Sequence, residues 1–240
     1  MRIGPTAALA HVLPRVGLRI AEFGSPAALV VAWDTGTWLQ SGAIARLPSS
    51  AVNRRCTDIS KTTVDRAWAE VSGYSISVDP LTWDGPLVVK PVVNGVRGGR
   101  IVDGPLPTRR ARVVYQRLVD CRQENRVHTL RPVVFDGRML IVYEKWRAAT
   151  DWFSGREEVA VRRPGEVFSA TEQEQLLRLC AALGMDYGEL DVVRDGASGL
   201  MYAVDVNRTP IRPRGLAPSD DDAAFGPLAE AIADRITLQG

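Results

Sequence analysis

Four carboxylate or carboxamide side chains lie in two short runs towards the end of the chain, Gly188-Glu189-Leu190-Asp191 and Tyr202-Ala203-Val204-Asp205-Val206-Asn207-Arg208-Thr209-Pro210. Alternation along residues 201–207 points Asp205 and Asn207 to one face of a strand and Tyr202, Val204 and Val206 to the other. Asp195-Gly196-Ala197-Ser198-Gly199 reads as a hairpin loop, and folding about it sets Asp191 near Ala203 and Glu189 near Asp205 on the same face. Three carboxylates and a carboxamide then converge. Carboxylates this close repel one another unless a cation sits among them, and an all-oxygen set suits Mg²⁺ completed by water and phosphate oxygens. The plainer alternative is a hairpin with a polar, solvated face. A register slip of one residue would turn Asp191 away from the others.

Lysine usage adds a second signal. Lys61, Lys90 and Lys145 are the only lysines among thirty basic residues. Where arginine serves almost every need for positive charge, a retained lysine suggests a compact ammonium seated where a guanidinium would not fit, as between phosphate oxygens; codon bias and chance form the alternative.

These residues need elements to position them. Thr57 or Asp58 can cap a helix in which Val64, Ala67, Trp68 and Val71 recur at helical spacing until Gly73, with Lys61 in the first turn. Residues 86–93 form a strand carrying Lys90, followed by the glycine-rich loop 94–100 with Gly95 and Gly98, whose backbone N–H groups could cover phosphates or simply turn a hairpin. Residues 112–120 form a further strand. Thr129–Phe135 and Arg138–Trp146 flank Asp136-Gly137, a two-residue hairpin signal, so that Arg131, Lys145 and Arg147 can line one face as an anion clamp or stand solvated. Ser169-Ala-Thr-Glu172 is a capping box opening a helix that Gly184 ends, and residues 223–238 form a last amphipathic helix. Ala27–Trp33 reads as the one strand of the first fifty residues.

Composition sets outer bounds. The 240 residues are 45% apolar, enough to bury a sizeable core in one or two domains, and the net charge of +2 gives no global field for nucleic acid or a membrane surface. The Arg97–Arg122 stretch is basic only locally. Cys56, Cys121 and Cys180 are odd in number and widely spaced, favouring reduced thiols, and the two histidines give little support for histidine-based metal or triad chemistry. The apolar run at residues 6–13 is too short for a membrane span. A cytoplasmic protein is expected.

The helix-start Lys61, the strand Lys90 before a glycine-rich loop, the strand with Gln116 to Val119, and Asp191, Asp205 and Asn207 in that order resemble the ATP-grasp superfamily over roughly residues 51–215. The similarity is to its carboxylate–amine ligases, such as ribosomal-protein glutamate ligases and glutathione synthetases. Asp-Val-Asn-Arg-Thr-Pro is its specific part, similar to the family's Glu-x-Asn-x-x-Pro. The resemblance implies an α+β fold in which two α+β subdomains, residues 51–115 and 116–240, clasp ATP after a shortened N-terminal α/β segment, residues 1–50. It implies adenine against Gln116, Arg117, Leu118 and Val119, with Asp120 on the ribose. Lys61 and Lys90 would contact phosphates beside the Gly95 and Gly98 loop, and Asp191, Asp205 and Asn207 would hold Mg²⁺. Arg131 matches an arginine near the transferred phosphate, and Lys145 shares its face as a second candidate for catalysis.

The implied reaction is ATP- and Mg²⁺-dependent joining of a carboxylate to an amine through an acyl phosphate, releasing ADP. Small-molecule or peptide acids and amines would be the substrates. A nucleotide-binding subunit without catalysis and a small-molecule kinase are the alternatives. Departures from the family pattern are the short N-terminal region, Arg117 at a position that is commonly acidic, Asp205 in place of Glu, and Gly155 where relatives often carry Asn. The first suggests a second copy or a partner protein to complete substrate binding; Arg156 could meet an anionic substrate or stand solvated.

Overall fold

The computed structural model describes residues 3–22, 24–96, 98–150, 152 and 155–238. Arg97 of the glycine-rich loop, and Phe153 and Ser154 of the Trp152–Arg156 segment, lie outside the described residues. Two antiparallel sheets organise the chain. The smaller has the order β2-β1-β3, from β1 (Pro86–Pro91), β2 (Arg100–Asp103) and β3 (Val113–Arg117).

The larger sheet runs β7-β6-β5-β8-β9, built from β5 (Arg126–Phe135), β6 (Arg138–Ala148), β7 (Glu158–Arg162), β8 (Tyr187–Arg194) and β9 (Met201–Asn207), with the two-residue β4 (Arg122–Gln123) paired to β5. Asp136 and Gly137 turn the β5–β6 hairpin with φ of 49° and 70°, the left-handed pair that matches the twist of the flanking strands.

Helices cover both faces of the large sheet. On one face, α3 (Lys61–Ser72) and α5 (Ala170–Leu183) bury Val64, Trp68, Leu176 and Leu179 against Leu130, Val142, Leu190, Val192 and Val206. On the other, α1 (Ala8–Val12) and α6 (Asp221–Thr237) bury Leu9, Phe225, Leu228 and Ile232 against Val133, Phe135, Ile141, Tyr143 and Tyr187. That cover stops partway along the strands. Beyond it the same face presents Thr129, Arg131, Lys145 and Asp191 to a cavity, with the small sheet opposite.

Local sequence explains most boundaries. Ser60, rather than Thr57 or Asp58, caps α3 by accepting the Thr63 N–H at 3.4 Å, while the Asp58 carboxylate accepts from Ser60 N–H and the Thr63 hydroxyl, each at 2.7 Å. Such a cap contributes about 1 kcal/mol. Ser169 and Glu172 cap α5 reciprocally, and Gly73 and Gly184 close α3 and α5 with φ of 84° and 65°. The strand expected over residues 112–120 is confined to β3, because the chain turns after it, with Cys121 N–H donating to the Val119 carbonyl at 3.0 Å.

The N-terminal segment differs from an α/β unit. Residues 27–33 form no strand; only Val31 bridges to Val52. The ladder cannot extend, because the chain turns beyond Val52, with Asn53 at a φ of 61° and Arg54 N–H donating to Ala51. The first fifty residues therefore carry α1, a 3-10 turn over Leu13–Val16 and α2 (Ser41–Ile44), joined by loops. Among the described residues no helix is long and apolar enough to cross a membrane.

Candidate active site

The acidic hairpin forms in a register two residues from the one expected. Asp191 lies opposite Asp205 and Glu189 opposite Asn207, while Val192 pairs with Ala203. A bulge leaves Val204 unpaired and supplies one residue of the offset; the pairs nearer the turn, Val192 with Ala203 and Val193 with Tyr202, are already displaced by the other. Because the offset is even, all four side chains keep the shared face.

Proximity does not make the four equivalent. Asp191 accepts from Arg131 Nε at 2.6 Å, and Arg131 also lies 3.5 Å from Glu189. Burial would raise the Asp191 pKa, but Arg131 and Lys145 outweigh it and hold the carboxyl below its usual value. Asp205 pairs with Lys61 at 3.1 Å, yet burial still pushes its pKa up. Glu189 is 2% exposed, and burial carries its pKa up to about 7 against the pull of Arg131. Asn207 uses its side-chain oxygen locally, accepting from Thr209 N–H at 3.0 Å and the Thr209 hydroxyl at 3.1 Å. It shapes the turn into Pro210, and binding a cation would require it to release one of those bonds.

A cavity of about 1170 Å³ separates the two sheets. Val88, Lys90 and Gln116 line it from the small sheet, and Thr129, Arg131, Lys145 and Asp191 from the large one. Burial lowers the Lys90 pKa, a shift that Asp205 opposes. Burial also lowers that of Lys145, which lies 2.5 Å from Glu157; the same carboxylate accepts from Arg147 Nε at 3.0 Å. Glu157 was not found from sequence, because its place beside Lys145 depends on the pairing of β7 with β6. Its only sequence mark is the acidic pair Glu157-Glu158 within a basic region.

Gln116 brings a further property. It is 2% exposed, lines the cavity, and its Oε1 has no hydrogen-bond partner among the described residues. A buried acceptor left unmade costs free energy, so this atom suits a ligand N–H. Leu118 and Val119 line the same end. Two backbone donors there are already used, Arg117 N–H to Ile76 at 2.9 Å and Leu118 N–H to Pro86 at 3.2 Å. The Arg117 guanidinium lies 5.0 Å over the Trp83 ring and donates to Tyr202 at 3.1 Å.

Other candidates stand apart from the cavity lining. Asp120 is held by Arg122 in a two-pronged contact of 2.6 and 2.8 Å. Lys61 sits deeper, donating to the Val93 carbonyl at 3.0 Å as well as pairing with Asp205. Gly95 and Gly98 adopt φ of 73° and 139° in a loop whose first residue, Asn94, donates to the Val206 carbonyl at 2.6 Å. The loop is thereby tied to β9, with the space around both α-carbons open.

This architecture is shared with solved proteins. The structure aligns with the ATP-grasp ligase PsnB, solved with a minimal precursor, Mg and ADP, at a TM-score of 0.55 and 17% identity, covering 82% of this chain and 66% of that one. It also aligns with the L-amino acid ligase from Bacillus licheniformis (TM-score 0.53, 18% identity, 80% and 52% coverage) and with the VanG D-Ala:D-Ser ligase from Enterococcus faecalis (0.50, 14%, 77% and 61%). The chain spans less than two thirds of the length of each of these. No protein-family model matches the sequence, and no curated protein sequence does. The chain has the ATP-grasp fold, of the α+β class, as its residue pattern implied.

Proposed function

We propose that the protein is an ATP- and Mg²⁺-dependent ligase that joins a carboxylate to an amine through an acyl phosphate, releasing ADP. The observation that carries this reading is the opposition of Lys90 and Gln116 to Arg131, Lys145 and Asp191 across one cavity between two sheets. Ligase activity in the solved neighbours, and the nucleotide and Mg bound to PsnB, support it. Residues 51–115 and 116–240 would be the two halves of the clasp. Three buried free thiols fit a reducing cytoplasm.

In this reading the adenine amine donates to Gln116 Oε1, with Leu118 and Val119 against the ring. Lys90 meets the phosphates, while Lys61 holds Asp205 in place. The paired Asp191 and Asp205 fit a hard cation that takes one or two carboxylates and fills its other positions with phosphate and water. Bound there, Mg²⁺ would neutralise phosphate charge. Arg131 keeps donors facing the reacting carboxyl and stabilises the charged tetrahedral centre, a role typically worth about 3 kcal/mol. Lys145 stands beside it as a second cation. The precursor-bound PsnB supports a peptide or small-molecule acid as substrate.

Incubation with ATP, Mg²⁺ and pooled amino acids should release ADP and phosphate with a ligated product. ADP with a phosphorylated product instead would make it a kinase. Asp205→Ala and Lys90→Ala should each weaken Mg-nucleotide binding at least tenfold, which is a loss of about 1.4 kcal/mol. Unchanged nucleotide binding and turnover in both variants would show the site to be wrongly placed.

A further inference from the structure

We infer that Arg156 and Arg214 form an anion subsite for a second carboxylate on the acid substrate, an inference that rests on the ligase reading. Six arginines line the cavity. Four are committed to protein groups: Arg117 to Tyr202, Arg126 to Glu158, Arg131 to Asp191 and Arg147 to Glu157. Arg156 and Arg214 are exposed, and neither has a hydrogen-bond or ion-pair partner among the described residues. The nearest acid in sequence to Arg156, Glu157, is already shared between Lys145 and Arg147.

Packing brings the two together. A Cβ on Gly215 would stand 2.1 Å from the Glu157 carbonyl oxygen, so the loop carrying Gly215 lies directly on the backbone entering β7. Arg214 and Arg156 each precede one member of that contact, so both enter the lining of the cavity from one pair of touching segments. Two guanidinium groups lining one wall of a cavity add their positive potentials there, and a carboxylate bound at that wall is attracted by both. The planar fork of arginine suits such a group, and in the ligase reading the carboxyl that is activated lies apart from it, at Arg131. A substrate carrying at least two carboxylates would span the two positions. Recognition would then reside in loops rather than in the nucleotide-binding sheets.

Calorimetric titration with glutarate, butyrate and inorganic phosphate, with and without ADP and Mg²⁺, tests this. Glutarate should bind roughly tenfold or more tightly than butyrate, as expected for a gained charge-assisted pair. Arg156→Gln combined with Arg214→Gln should abolish that preference while leaving ADP affinity and thermal midpoint unchanged, since both side chains are exposed and make no ion pair among the described residues. Equal binding of the two acids, no binding of either, or a preference retained in the double variant overturns the subsite. Phosphate binding more tightly than glutarate, and depending on both arginines, overturns the assignment to carboxylate. Failure of ADP to bind would count against the ligase reading alone, because the glutarate preference is also measured without nucleotide.

Discussion

Arg131 shows how one side chain can organise a site. Its guanidinium touches Asp191 and approaches Glu189, and together these carboxylates outweigh the effect of burial and raise its pKa, so it stays charged inside the protein. Lysine keeps the charge but lacks the planar fork, and it cannot address both partners from one geometry. Arg131→Lys should lower turnover by roughly a hundredfold, the scale of one lost transition-state donor. ADP affinity should hold within about threefold, because the nucleotide contacts assigned above lie elsewhere. Steady-state ADP release and calorimetry separate the two effects, and an equal loss in both would remove Arg131 from the chemical step.

Secondary elements here depend on a few backbone positions that resist substitution to very different degrees. Gly184 and Gly137 both adopt left-handed φ, 65° and 70°. A Cβ at Gly184 would lie 2.7 Å from the Arg55 Cβ and 2.8 Å from its carbonyl oxygen, whereas at Gly137 it meets nothing within 4 Å. Both replacements by alanine carry backbone strain of about 1 kcal/mol, but only Gly184→Ala adds a clash between α5 and the chain entering α3. Urea denaturation should show Gly184→Ala losing about 2 kcal/mol more than Gly137→Ala, in the range of overpacked sites. Equal losses would mean that the Arg55 segment yields without cost.

At the scale of the whole molecule, Arg208 joins the N-terminal loops to the acidic hairpin. It is fully buried and donates to the carbonyls of Asp34, Gly36 and Cys56 at 3.2, 2.6 and 2.7 Å. Ala8 N–H to Pro210 and Arg212 N–H to Thr6 add a second tie beside it. The residue following Asn207 thus fastens the first fifty residues to the site. Arg208→Met should leave three carbonyls unsatisfied and cost about 3 kcal/mol, at roughly 1 kcal/mol for each orphaned acceptor. Hydrogen exchange should locate the lost protection in the N-terminal segment, and loss spread evenly over both sheets would contradict the tie.

Local rules made much of this legible in the sequence. Period-two alternation settled that Asp191, Asp205 and Asn207 share a face, and capping chemistry marked α5 through Ser169, Glu172 and Gly184. The ordered lysines and acidic residues carried the fold. Distant packing decided the rest. The turn and the bulge at Val204 together set which carboxylates oppose each other, and Thr209 took up the Asn207 oxygen. Pairing of β7 with β6 brought Glu157 to Lys145, and the contact at Gly215 laid the segment carrying Arg214 on the one carrying Arg156. Periodicity reports the direction of a side chain along its own element, but a partner contributed by a remote segment is chosen only when the whole chain packs.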